Sequence, residues 1–140
     1  MNEHSFRKSF ENPAFKKAIN WSWKIHDSFA GGVPDSYVEG SKSDLWIEYK
    51  WCNLPKRDTT LIDLSNPNQY LSKLQQEWLR RRFTLGRNDA CVILGHDLGC
   101  NIFFGLSWET PLTKNDLLKT AFTKVTARNH ILNIVTSVTY

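Results

Sequence analysis

The chain has 140 residues, 41% of them hydrophobic, with six Trp and eight Phe, which excludes a disordered polymer and suits one domain spanning 1–140. A domain of that size buries roughly two thirds of its unfolded surface and needs no cross-links. Lys and Arg outnumber Asp and Glu by 18 to 14, a net charge of +4 that suits a polyanionic partner without requiring one.

The N-terminal stretch MNEHSFRKSFENP is charged and has no apolar centre, so it is not read as a signal peptide. Residues 5–20 place Phe6, Phe10, Phe15 and Ile19 at near-helical spacing. Asn12 before Pro13 forms an N-cap with proline in the first turn, so the expected helix starts at Pro13 behind a shorter turn. Residues 21–27 read as a strand or extended entry, and Ala30-Gly31-Gly32 breaks regular structure. Residues 36–39 form a short strand and residues 40–43 a turn. Residues 44–52 alternate, with Leu45, Ile47, Tyr49 and Trp51 on one face and Trp46, Glu48 and Lys50 on the other. These two strands read as a β-hairpin.

A polar loop from residue 53 to about residue 70 carries Lys56, Arg57 and Asp58. Ser72 and Gln75 then form a capping box that opens a helix, with Leu74 and Trp78 on its inner face and Gly86 as its C-cap. Residues 90–94 are a continuous apolar strand, residues 95–99 turn, and residues 100–106 return. Thr113 or Asn115 caps a further helix through about residue 127, and the β-branched residues 131–138 read as a last strand. The order α-β-β-β-α-β-β-α-β gives an α/β fold, a mixed sheet flanked by helices. Ile131, Ile134, Val135 and Val138 need cover from this chain or a second one. The region after residue 107 is a candidate dimer interface or DNA-specificity element.

Cys52, Cys91 and Cys100 are odd in number and contain no CxxC pair, which argues against a disulfide framework or thiolate zinc site and for a reduced, cytoplasmic setting. No apolar run reaches membrane-spanning length, so no membrane partner is expected. The histidines His4, His26, His96 and His130 have no ligand spacing.

Chemistry concentrates at Pro34-Asp35 and at Glu48-Tyr49-Lys50, thirteen residues later. Period two puts Glu48 and Lys50 side by side, and pairing of the two strands brings Asp35 to the same face. Two carboxylates this close repel unless a cation lies between them, and Mg²⁺ or Mn²⁺ with oxygen ligands answers that need. Lys50 could then hold an attacking water or neutralise developing charge. An isolated E-x-K is more often a solvated strand face. Here the strand's other face is strongly apolar, Asp35 lies at hairpin distance, and the Gly-Gly break before it allows a bulky ligand to approach closely.

The segments GGVPDSYVEG, DLWIEYKW and LSKLQQEWL, with the glycine after the last, resemble the PD-(D/E)XK nucleases over residues 24–94. They are most similar to the VRR-NUC branch and its short stand-alone members of viral origin. The resemblance implies a restriction-endonuclease-like αβββαβ core, here with a C-terminal β/α extension. It implies Asp35 and Glu48 as ligands of Mg²⁺ or Mn²⁺, Lys50 as the catalytic lysine, and Gln75 as a helix glutamine near the active site. It implies a further acid on the first helix, for which Glu11 is the best candidate, Glu3 a weaker one and Asp27 a third. It also implies a virus-encoded, intracellular homodimer acting on branched DNA such as four-way junctions.

Candidate DNA contacts are Lys56 and Arg57 after the Glu48 strand and one residue of the Arg80-Arg81-Arg82 run, Arg81. Lys24 and Lys42 are weaker ones. The leading reading is a structure-specific endodeoxyribonuclease. A sequence-specific restriction- or homing-type enzyme is the alternative. A non-catalytic DNA-binding module fits less well, because paired carboxylates near phosphate weaken binding. An interaction protein with a chance match would bind neither metal nor DNA.

Overall fold

The structure, a computed structural model, describes residues 1–25 and 31–140. Helix α1 (Glu3–Phe10) begins where the Asn2 side chain accepts the Ser5 N–H, and α2 (Pro13–Ala18) where Asn12 accepts that of Phe15. The expected short turn ahead of Pro13 is therefore a full helix with its own cap. Phe6, Phe10 and Phe15 are buried on these helices, each burial stabilising the fold by roughly 1.5–3 kcal/mol.

Strands β1 (Trp21–Lys24), β2 (Ser36–Glu39) and β3 (Asp44–Trp51) form an antiparallel meander, and the β2–β3 hairpin matches the expected one. Its turn is pinned from outside. A Cβ on Gly40 would lie 2.0 Å from the Val135 carbonyl oxygen, and that oxygen accepts the N–H groups of Lys42 and Ser43. Within the expected polar loop, a two-residue strand β4 (Leu61–Ile62) appears, with Ile62, Leu64 and Leu71 buried beside it.

Helix α3 (Lys73–Thr84) has both hydrogen bonds of the Ser72–Gln75 capping box, and Gly86 follows its C-cap with φ +75°. Its buried residues are Gln76 and Leu79; Leu74, expected inward, is 52% exposed. Strand β5 (Ala90–His96) pairs parallel with β3, and β6 (Gly99–Phe104) antiparallel with β5. The sheet thus runs β1-β2-β3-β5-β6 with β3 at its centre. After a 3₁₀ turn (Ser107–Glu109), β7 (Leu112–Thr113) pairs with β4.

Thr113 caps α4 (Lys114–Lys119), and Thr123 caps a separate helix α5 (Lys124–Val135). The expected last strand over residues 131–138 is instead mostly the second half of α5. Ala127, Ile131, Leu132 and Val135 recur at helical spacing and are all buried, so the period outweighs β-branched propensity. Of the residues expected to need cover, Ile131 and Val135 are buried by this chain and Ile134 is partly so, while Val138 stays 60% exposed. Helices α1, α2 and α5 close one face of the sheet around Val38, Leu45, Ile47, Tyr49 and Ile93. Helices α3 and α4 close the other around Val92, Leu94 and Phe103. Among the described residues, no helix is long and apolar enough to cross a membrane. The three cysteines are buried and unbonded.

Candidate active site

The hairpin register sets the position of the first acid. The β2–β3 ladder ends at Ser36 opposite Ile47, so Asp35, one residue earlier, comes opposite Glu48. Asp35 Oδ2 accepts the Tyr49 N–H at 2.9 Å, and its carbonyl accepts the Ile25 N–H. The carboxylate is thereby fixed on the central strand. The preceding Gly31 and Gly32 have φ of +69° and +79°. A Cβ on Gly32 would lie 2.4 Å from the Leu74 carbonyl oxygen, so the close approach served by this break is to the first turn of α3, not to a ligand.

Glu48 and Lys50 project from β3 on the same face, and both are buried, at 1% and 8% exposure. Lys50 Nζ lies 3.6 Å from Glu48 Oε2, and Gln75 Nε2 donates to the same oxygen at 3.2 Å. Gln75 Oε1 meanwhile accepts the Ser72 N–H at 2.9 Å, so one side chain both caps α3 and meets Glu48. Glu48 Oε1 is buried and has no partner among the described residues.

A third acid converges here. Glu3, at the start of α1, lies 3.6 Å from Lys50 Nζ. Glu3, Asp35 and Glu48 each offer an oxygen, all within 4.8 Å of one another. Burial first, then the charge of Asp35, hold the Glu48 carboxyl well above the ordinary carboxylate range, against the pull of Lys50. Burial raises Glu3 as well, and Lys50 opposes that shift. The site therefore concentrates more negative charge than one ammonium group answers. A hard divalent cation fits the donor set: three carboxylates, with one buried oxygen left without a donor.

Glu11, expected as the extra acid, lies elsewhere. It is eight residues beyond Glu3, roughly 12 Å along the helix. Its carboxylate is buried 3.9 Å from Arg7, and its charge adds to burial in pushing the Tyr49 hydroxyl up. Tyr49 points away from the face of Glu48, so the sheet separates Glu11 from the cluster. Asp27 and His26 lie outside the described residues. The signal for Glu3 was present in the sequence: Asn2, a preferred N-cap residue, precedes it.

Lys56 and Arg57 are exposed on the loop that leaves β3. Arg81 is exposed beside Trp78 and Glu77, in a depression that also includes Gly31 and Val33. Its neighbours are engaged, Arg80 with Glu109 at 3.2 Å and Arg82 with Asp89 at 2.6 Å. Lys24, Arg7 and His4 line a pocket with Glu3 and Asp35, three basic groups that sequence reading placed at the margin or omitted. Lys42, in the β2–β3 turn, lies six residues before Glu48, roughly 20 Å along the strand.

Neither a protein-family model nor a curated protein matches this sequence. Among solved structures, the chain is similar to Hjc, a Holliday junction resolvase of the archaeal hyperthermophile Archaeoglobus fulgidus. The match has a TM-score of 0.51 and 16% identity and covers 88% of this chain and 96% of that one. At that identity the likeness is one of fold: a five-stranded mixed sheet flanked by helices, of the restriction-endonuclease-like kind.

Proposed function

We propose that the chain is a metal-dependent endodeoxyribonuclease of the PD-(D/E)XK class, built as one catalytic domain, that hydrolyses phosphodiester bonds in branched DNA. The observation that carries this reading is the carboxyl of Glu48, which has one oxygen buried and unpartnered among the described residues and lies beside Lys50 with two further carboxyl groups within 4.8 Å. Holding three carboxyl groups within 4.8 Å of one another, one of them buried, carries an electrostatic cost that a bound cation would offset.

In this reading Asp35, Glu48 and Glu3 hold a divalent cation, Mg²⁺ or Mn²⁺. Bound there, the cation withdraws charge from a phosphoryl oxygen and relieves the repulsion among the acids. Tyr49 N–H fixes Asp35, and Gln75 fixes Glu48, so neither acid must reorganise when substrate arrives. Lys50 directs its ammonium group to the place where charge develops on the scissile phosphate, and it positions the incoming water. Lys24, Arg7 and His4 stand where a phosphate entering beside Asp35 would meet them. Lys56, Arg57 and Arg81 contact the flanking backbone.

The fold likeness to a Holliday junction resolvase supports a branched substrate. Segments resembling viral VRR-NUC members support the same substrate and a homodimer in the host cytoplasm. The test is cleavage of labelled duplex, flap and four-way-junction DNA with Mg²⁺, Mn²⁺ or EDTA. Metal-dependent cutting that disappears in Glu48→Ala and Lys50→Ala while DNA binding persists is the expected result. Cutting that continues in Glu48→Ala removes the assignment. Light scattering on the purified chain tests the dimer, which a monomer at working concentration would contradict.

A further inference from the structure

Among the described residues, the sheet face that carries Glu48 is only half covered. Helix α3 and the core beside it lie over β3, β5 and β6, and no residue of β1 or β2 joins that core. On the open half, Trp21 and Trp23 are 51% and 53% exposed. Two residues apart on β1, they share one side of the sheet. The register puts Tyr37 opposite Trp23 and Trp46 opposite Tyr37.

The rings form an unbroken row. Trp21 and Trp23 stack with centroids 6.0 Å apart and planes 26° apart, and Trp21 meets Tyr37 at 6.3 Å. Tyr37 meets Trp46 at 4.9 Å, and Trp46 meets Trp78 of α3 at 5.4 Å. Arg82 closes the inner end, 5.9 Å and 5.8 Å from the centroids of Trp46 and Trp78. Two hydrogen bonds to Asp89, of 2.9 and 2.6 Å, hold it there. Trp46 stands two residues before Glu48 on the same face, so the row ends roughly 7 Å from the acid along the strand.

The charges along this groove choose its occupant. Asp44, which accepts the Tyr37 hydroxyl, and the Arg82–Asp89 ion pair line it with the rings, so the groove holds one unbalanced carboxylate and its one cation is already paired. Carboxylates repel phosphate and accept hydrogen bonds from the amino and imino groups of bases. Phosphates would instead find a cation at the inner margin, at Arg81 of α3, which is exposed and shares a depression with Trp78. A base inside a duplex has both faces covered by its neighbours, so only unpaired bases can stack on protein rings. We infer that the aromatic row binds unpaired bases of a DNA strand, and that the substrate is DNA with a single-stranded stretch beside the cut. The second half of this statement rests on the nuclease reading; the stacking itself needs neither metal nor cleavage.

The test titrates the full chain in EDTA with a thymidine oligonucleotide of about 12 residues, comparable to the sites of other stacking proteins, and with a blunt hairpin duplex. Tryptophan quenching and DNA anisotropy give the affinities, and Trp21→Ala/Trp23→Ala removes two exposed rings with little loss of core. The expected result is preference for the single strand and a roughly 10- to 100-fold loss of that affinity in the variant. The salt slope should not change, because no phosphate contact is removed. The metal-induced rise in melting temperature should also persist in the variant, which shows the acids undisturbed. Equal single-strand affinity in variant and wild type, or a preference for duplex, overturns the inference. So does self-association that vanishes in the variant without any single-strand preference, which gives the face to a second copy. If the wild type binds the single strand but cuts no DNA under any metal, the nuclease reading fails and the stacking row stands.

Discussion

Replacing Glu48 by Gln keeps the shape of the side chain and removes its charge. The wild-type site sets Glu48, Asp35 and Glu3 within 4.8 Å of one another, and Lys50 is the one cation in contact with them among the described residues. Two unit charges at about 4 Å repel by roughly 4 kcal/mol at an effective dielectric constant near 20. The Lys50 ammonium at 3.6 Å offsets part of this. Glu48→Gln should therefore stabilise the metal-free protein by about 1–3 kcal/mol. A divalent ion at about 100 times its dissociation constant stabilises the wild type by roughly 2.7 kcal/mol. For a chain of this length each kcal/mol corresponds to about 3–5 °C, so Mg²⁺ or Mn²⁺ should raise the wild-type midpoint by roughly 10 °C. Glu48→Gln should start higher and rise by no more than about 2 °C. Differential scanning fluorimetry with metal and with EDTA reads both quantities. Equal metal-induced shifts in the two proteins, or a variant that is less stable than wild type in EDTA, would refute the charge argument.

Lys50→Ala should lower single-turnover cleavage by roughly 100- to 10,000-fold with DNA affinity nearly unchanged, read by quench-flow and anisotropy. Burial lowers the pKa of His96, whose Nε2 meets Asn101 Oδ1 at 2.9 Å. The unfolded chain then takes up a proton that the folded one does not. Stability from this group is complete above the ordinary histidine value of 6.5 and is lost as pH falls toward the depressed folded value. Urea midpoints between about pH 7.5 and 5.5 should fall in the wild type and fall less steeply in His96→Gln. Asn133→Pro tests α5: the residue is exposed, yet proline inside a helix costs about 3 kcal/mol or more, whereas an edge strand would tolerate it. Gly32→Ala should strain the φ of +79° and drive its new Cβ into the Leu74 carbonyl oxygen, weakening metal binding through Asp35 and Gln75, as calorimetry with Mn²⁺ would show.

Elements whose signals are local were legible in the sequence. The β2–β3 hairpin follows from alternation and a turn, and the Ser72–Gln75 capping box from residue types at fixed spacing. The tail was misread because Ile131, Ile134 and Val135 carry β-branched propensity, and their spacing of three and four was given less weight. β4 was missed because a two-residue strand has no period of its own; β7, far along the chain, defines it. Leu74 was placed inward as one of a helical pair, but the side of α3 that meets the sheet is set by Gln76 and Leu79.

At the site, the residues that were legible share one strand or its hairpin partner. Period two orders Glu48 and Lys50, and the ladder register orders Asp35. The third acid comes from a helix whose position on the sheet is a tertiary fact. Glu11 was preferred and Glu3 ranked below it, whereas Asn2 starts a helix that carries Glu3 to Lys50. Phe6 and Phe10, buried against Tyr49 and Trp51, fix the register of that helix on the strand. A core contact on one face of β3 thus decides which carboxylate completes the cluster on the other, and no spacing rule within either segment contains that information. The same reasoning applies to the aromatic row. Trp21, Trp23, Tyr37 and Trp46 come from three strands, and only the register of the sheet brings their rings into one row, with Trp21 and Trp23 exposed and Trp46 packed against the core.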